Sequence, residues 1–311
     1  MKIAFVFSGQ GAQYLGMGQE FYTNSLIFKQ YIDLASKVLD LDLPKIMFEE
    51  DDKLNQTEYT QPIILAMSVA ISEMIKEQLN IKPEICAGLS LGEYTALVES
   101  GALDFEAALK LVRKRGKLMQ EAVPAGVGAM TAVMGMDREV IEAICKEASS
   151  VAGVYPANYN MPGQIVIGGF KEGVAKAEGL LKEAGAKRLI PLKVSGPFHT
   201  PLLKEASENL EVVLKQVDFK EMSIPVVTNV TGSFFESNEK IIPTLTKQVM
   251  SPVYFEDCIK TMIAEGVDTF IEIGPGKTLS SFIKKSDKTV NIQHCEDQKT
   301  FEKLEKLISN S

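Results

Sequence analysis

Residues 86–94 read CAGLSLGEY, with Gly88, Ser90 and Gly92 spaced as G-x-S-x-G. A serine hydroxyl is a poor nucleophile unless a base stands beside it. In a nucleophile elbow the serine occupies a sharp strand-to-helix turn, and small flanking residues permit the strained backbone. Ile85–Ala87 has the character of a short strand, and Glu93 to Glu99 can begin a helix. The same letters also suit a tight turn with an inert serine, so the base decides between the two. The chain has only two histidines, His199 and His294. His199 lies in VSGPFHTPL, in a loop after a predicted strand, with Gly196 and Pro197 shaping it and Thr200-Pro201 opening a helix. His294 lies in VNIQHCED, in a predicted strand, and reads as structural or solvated. If Ser90 is catalytic, His199 is its base.

Attack on an acyl group creates an oxyanion, which needs preorganised donors. The backbone N–H of Leu91, at the start of the helix after Ser90, is the natural first donor. A second is expected from Gly9-Gln10-Gly11, in the glycine-rich SGQGAQ that follows the first predicted strand. Glycine there lets backbone approach closely. A phosphate loop is the competing use of such glycines, but SGQGAQ lacks the P-loop lysine and the G-x-G-x-x-G spacing.

LKLVRKRGK looks like a basic, solvated run. At about 100° per residue, Phe105, Ala108, Val112, Gly116 and Met119 form one stripe, each within roughly 40° of its centre. Lys110, Arg113, Lys114 and Lys117 point away from it. Arg115 lies only about 60° from the centre, on the flank of the inward face. A buried arginine needs a carboxylate or an equivalent partner, either structural or supplied by an anionic substrate.

Elements must bring these residues together. Strand and helix patterns alternate through most of the 311 residues: KIAFVF, IPVVTNV and DTFIEIG as strands, with helices at about 25–40, 61–79, 104–122, 200–216, 241–249, 255–265 and 298–309. Asp104 is the expected N-cap of its helix. Such alternation implies a mostly parallel sheet with helices on both faces, with binding at the carboxyl ends of the strands. Between 126 and 195 the order becomes β-α-β-β-α-β, a ferredoxin-like unit. The expectation is a hydrolase-like core of residues 1–125 and 196–311 with a ferredoxin-like insertion at 126–195. The net charge of −8 argues against nucleic acid or an anionic membrane as the main partner. The four cysteines form no C-x-x-C pair, so reduced thiols, a cytoplasmic location and no metal site are expected. No stretch is long and apolar enough for a signal-peptide core or a membrane span.

GQGAQ, GLSLGEY, RGKLMQEAVPAGVGAM, NYNMPGQIVI, VSGPFH, the glutamine of KQVMSPV and EIGPGK occur in this order from residue 9 to 277. Together they closely resemble the malonyl-CoA:acyl carrier protein transacylase family of type II fatty acid synthesis. The resemblance implies a cytoplasmic, monomeric enzyme without a cofactor. It would move malonyl from malonyl-CoA, a coenzyme A thioester, to the phosphopantetheine thiol of acyl carrier protein. It implies Ser90 as acyl carrier, His199 as base and then acid, and the N–H groups of Gln10 and Leu91 as oxyanion hole. Arg115 would hold the malonyl carboxylate, and the main-chain carbonyl of Gln248 would orient His199. Asn158 and Asn160 would line the pocket, and Phe198 would crowd an α-methyl group and so disfavour methylmalonyl. Leu89 departs from the GHSLG common in the family, which alters pocket packing but not the base.

Other readings stay open on the residues. An α/β-hydrolase esterase would place its histidine last, after an acidic member, whereas a long segment follows His199. A carrier-binding module without activity would be free to lose Ser90, His199 and Arg115. An acyltransferase serving a polyketide synthase in trans has the same motifs. Lys182, Lys187, Arg188 and the outward lysines of helix 104–122 are candidates for docking an acidic carrier.

Overall fold

The apolar run at the start forms a strand because all five of its residues are covered: β1 (Ile3–Phe7) is buried throughout. The structure, a computed structural model, describes residues 1–124, 126–192, 194 and 196–309. The further strands are β2 (Ile85–Gly88), β3 (Gly128–Met134), β4 (Val154–Met161), β5 (Gln164–Phe170), β6 (Arg188–Pro191), β7 (Val253–Tyr254), β8 (Thr269–Ile273) and β9 (Asn291–Cys295). One sheet has the order β2-β1-β8-β9, and all of its pairs are parallel. Strands covered on both faces read as continuous apolar runs, as IAFVF does.

The second sheet has the order β6-β3-β5-β4-β7. Its first four strands, with the helices Arg138–Ala148 and Lys171–Glu183, form the expected β-α-β-β-α-β unit. The expected boundaries at 125/126 and 195/196 fall at Ala125 and Ser195, outside the described residues. One feature differs from the expected four strands. β7, from the later part of the chain, pairs in parallel with β4 through Asn158–Val253 and Tyr159–Tyr254, joining the two parts of the fold.

Helices at Leu43–Glu49 and Thr278–Ser286 were not expected, and two expected elements differ in form. IPVVTNV makes only isolated bridges, Cys86 to Val226 and Val227 to Phe234, because Thr228 and Asn229 turn away to bond the serine turn. The helix expected at 61–79 begins earlier, spanning Thr57–Leu79 with Pro62 inside it. Thr60 Oγ1 ties the early start to Leu54 O at 2.6 Å and to Gln56 O at 2.9 Å. This helix is buried nearly all round and carries Gln61 beside the helix Phe105–Glu121. Asp104 caps the latter, accepting from the N–H groups of Glu106 and Ala107 at 3.0 and 3.2 Å.

Candidate active site

β2 ends at Gly88, and the helix Leu91–Glu99 begins three residues later. Ser90 between them has φ 54° and ψ −97°, a conformation few non-glycine residues adopt. The flanking glycines are steric requirements. A Cβ on Gly88 would overlap the backbone of Gly92, and a Cβ on Gly92 would overlap the carbonyl of Phe7. Asn229 brackets the turn, its Oδ1 accepting from Ser90 N–H at 2.6 Å and its Nδ2 donating to Gly88 O at 2.7 Å.

The structure brings His199 to the serine, with Nε2 2.7 Å from Ser90 Oγ. His199 Nδ1 lies 2.8 Å from the main-chain O of Gln248. A carbonyl can only accept, so Nδ1 carries the proton and Nε2 is left to receive the one on Ser90 Oγ. Burial pushes the His199 pKa down to about 4, with the Arg115 charge adding to the effect. The imidazole is therefore neutral near pH 7, as a general base must be. His294 lies elsewhere, on β9, with Nε2 3.8 Å from Glu296 Oε1.

Arg115 is fully buried, yet none of the ion pairs among the described residues includes it. Its Nη1 donates to Gln61 Oε1 at 2.8 Å. Its Nη2 donates to Gln248 Oε1 and to Ser90 Oγ, both at 3.0 Å. The guanidinium also lies 5.1 Å from the Tyr94 ring centre. A cation held by neutral acceptors, one of them the nucleophile's oxygen, gives the site a strong preference for an anionic group.

A cavity of about 440 Å³ opens in front of Ser90 and His199. It is lined by residues of both sheets and their loops, including Gln10, Asn158, Asn160, Phe198 and Leu89. Asn160 is nearly buried, and its Oδ1 has no partner among the described residues. Gln10 is held by its side chain, which donates to Thr57 Oγ1 at 3.0 Å. The N–H of Leu91 follows the Ser90 N–H that Asn229 occupies and precedes that of Gly92, which bonds Leu89 O at 2.9 Å. No bond from it is seen among the described residues. The Gln10–Gly11 loop borders the same cavity. Leu89 packs against the apolar cluster of Leu279 and Phe282.

Three residues at the site went unassigned in the sequence. Gln61 lies inside an apolar helical pattern, and Asn229 lies in a stretch that reads as a strand. Glu93, fully buried, accepts from Thr228 Oγ1, Asn229 N–H and Gln248 Nε2 at 2.9, 2.8 and 2.9 Å. Its position three after Ser90 is the only local signal, and that spacing also spells an ordinary helix cap.

A strained serine on a strand-to-helix turn, a neutral histidine beside it and a buried arginine are the parts that acyl transfer through a serine would use. The family model for the acyl transferase domain matches residues 4–306. The malonyl CoA-acyl carrier protein transacylase of Bacillus subtilis is 47% identical over 303 residues, covering 97% of this chain and 95% of the relative. The crystal structure of MCAT from Streptococcus pneumoniae is 54% identical with a TM-score of 0.95, covering 98% of this chain and 100% of that one. A malonyl-transacylase in complex with its type II PKS acyl-carrier protein is 41% identical with a TM-score of 0.96, both chains being covered in full. The chain belongs to the acyl transferase family and, within it, to the malonyl CoA-acyl carrier protein transacylases.

Proposed function

We propose that the protein moves a malonyl group from malonyl-CoA to the phosphopantetheine thiol of an acyl carrier protein, with Ser90 as the covalent waystation. His199 Nε2 takes the proton from Ser90 Oγ as the oxygen attacks the thioester carbonyl. The N–H groups of Leu91 and Gln10 receive the oxyanion. When the tetrahedral intermediate collapses, the C–S bond breaks, His199 returns its proton to the departing thiolate, and coenzyme A leaves. The carrier's thiol then gives its proton to His199 and attacks the malonyl ester; the C–Oγ bond breaks and His199 returns the proton to Oγ, regenerating Ser90. One ester exchanged between two thiols serves both half-reactions.

The observation that carries this reading is Arg115, a buried cation whose Nη2 lies 3.0 Å from the nucleophile's oxygen. The distal carboxylate of malonyl takes the place of Gln61 and Gln248 as its acceptor, so substrate choice and nucleophile share one guanidinium. Asn158 and Asn160 serve as polar lining for the pantetheine arm, and Phe198 closes the pocket against an α-methyl group. Residues 126–195 act as a second unit covering the cleft. Four buried, free thiols fit a reducing, cytoplasmic setting. Fatty acid and polyketide assembly share this chemistry, and the carrier protein accepted tells them apart.

The test is intact mass after brief mixing with malonyl-CoA, followed by addition of phosphopantetheinylated acyl carrier protein. One malonyl adduct on the enzyme, moving to the carrier and absent from Ser90→Ala, is expected. An adduct persisting in Ser90→Ala would put the nucleophile elsewhere. Decay to free malonate whether or not carrier is present would make the protein a hydrolase.

A further inference from the structure

Ser90-Leu91-Gly92-Glu93 has the spacing of a capping box, in which the acid at the third helical position bonds back to the N–H of the cap residue. That bond is not made. The Ser90 side chain caps nothing, and its N–H is taken by Asn229 Oδ1. Glu93 is released from the usual duty and is fully buried, and no ion pair among the described residues includes it. Such a carboxylate is costly unless every acceptor site is used, and this one takes three donors. Two of them belong to the residues that flank the nucleophile. Asn229 holds Ser90 by its N–H, and Gln248 Nε2 holds Ser90 by its carbonyl O at 3.0 Å.

Gln248 is also the residue whose main-chain carbonyl receives His199 Nδ1. Its side chain is placed by two bonds from Nε2, to Ser90 O and Glu93 Oε2. A third bond comes from Arg115 to Oε1. In the proposed reaction Arg115 turns to the substrate carboxylate, so the bond from Arg115 is the one given up. The bonds to Ser90 O and Glu93 Oε2 remain, and Glu93 is the partner of the two that lies outside the nucleophile itself.

We propose that Glu93 is a positioning residue that takes, at one remove, the part played by the acid of a Ser-His-Asp triad. Through Gln248 it keeps the carbonyl on His199 Nδ1, and through Asn229 it keeps the strained turn of Ser90, while Arg115 is engaged with substrate. The proposal rests on the transacylase reading for that last step. The alignment of serine and histidine is measurable without any malonyl transfer.

Two variants separate hydrogen bonding from mere burial. Glu93→Gln can keep all three bonds, its amide oxygen accepting from Asn229 and Gln248 and its NH₂ donating to Thr228 Oγ1. Glu93→Asp is one methylene short of Asn229 and Gln248. Expected for Glu93→Gln is a maximal loading rate within about threefold of the parent. Expected for Glu93→Asp is a fall of about tenfold or more, with KM for malonyl-CoA nearly unchanged, since small misplacements of catalytic groups cost this much. Reaction of Ser90 with a sulfonyl fluoride should fall by a similar factor.

The decisive readout uses the two histidines. In ¹⁵N-histidine-labelled protein, His199 of the parent should give separate signals for a protonated Nδ1 and a bare Nε2. In Glu93→Asp these should average while His294 stays put. Should Glu93→Asp fail to fold, Gln248→Met, which keeps the main-chain carbonyl but not the tie to Glu93, takes its place in the same measurement. An unchanged His199 tautomer, or a loss confined to KM, would overturn the proposal. Absence of a malonyl adduct on the parent would instead count against the transacylase reading alone.

Discussion

At the scale of single residues the site turns on one charge close to one histidine. The Arg115 guanidinium makes charged hydrogen bonds, each worth about 1.5–3 kcal/mol, so Arg115→Ala should slow malonyl loading by about ten- to a hundredfold. It should also narrow the gap between malonyl-CoA and acetyl-CoA. Competition between the two thioesters, read as adduct mass, checks this, and unchanged selectivity would exclude Arg115 as carboxylate clamp. The same charge helps hold His199 down to about pH 4, which sets a pH profile. A base must be neutral, and a depressed pKa keeps it so on the acid side. Loading should therefore stay level below the ordinary histidine value of about 6.5 and fall only on approach to pH 4. In Arg115→Ala the acid limb should move upward, toward neutrality, because a repelling charge is gone. A stability corollary has the same sign: the unfolded chain binds a proton on His199 that the folded one refuses, so stability declines as pH falls from about 6.5 toward 4. Ser90, His199 and Arg115 were legible in the sequence because each stands in a local pattern: an elbow, a loop histidine, a helix flank. Gln61, Asn229 and Glu93 were not, because their partners lie far away in the chain; Gln61 and Asn229 carry no local mark, and the spacing of Glu93 from Ser90 is that of an ordinary helix cap.

At the scale of elements, the turn between β2 and the helix Leu91–Glu99 is set by steric exclusion. Gly92 packs on the carbonyl of Phe7 in β1, so Gly92→Ala must push the helix off the strand. Overpacking of this kind costs about 2 kcal/mol or more. Gly179 is the contrast, exposed in mid-helix with nothing within 4 Å of an added Cβ. Gly179→Ala should stabilise by up to about 1 kcal/mol through helix propensity. Denaturant unfolding of both variants tests the pair, and a harmless Gly92→Ala would mean the elbow is looser than its contacts imply. Most element types followed from periodicity, because apolar faces must be buried whatever the topology. Exceptions are instructive. IPVVTNV has strand composition, yet Thr228 and Asn229 spend their bonds on Glu93 and Ser90. The apolar helical pattern starts at about residue 61, yet bonds from Thr60 extend the helix back to Thr57.

At the scale of the whole molecule, the cavity is shared between the two sheets, so the chemistry depends on what fixes one against the other. The parallel β4–β7 pair does this at Asn158–Val253 and Tyr159–Tyr254, next to the cavity-lining Asn158 and Asn160. A cluster on the outer side reinforces it. The rings of Tyr159 and Tyr254 stack at 4.9 Å, and the Arg138 guanidinium lies 3.9 Å from the Tyr159 ring centre. Arg138 also pairs with Glu142 at 3.0 Å and with Asp257 at 3.6 Å, the second bond joining the two parts of the fold. These ion pairs are half-exposed, so each contributes about 0–1 kcal/mol, and the cation–π contact adds about 0.5–1 kcal/mol. Arg138→Ala should thus lower stability by only about 1–2 kcal/mol. Its signature should be local. Amide hydrogen exchange should quicken in β4, β7 and the helix Arg138–Ala148, while β1 and β8 stay as protected as before. If the seam also keeps water from the acyl-serine, the malonyl-enzyme of Arg138→Ala should hydrolyse faster in the absence of carrier. Uniform acceleration of exchange through both sheets would instead mean that the two parts unfold as one cooperative unit, with no separable seam between them.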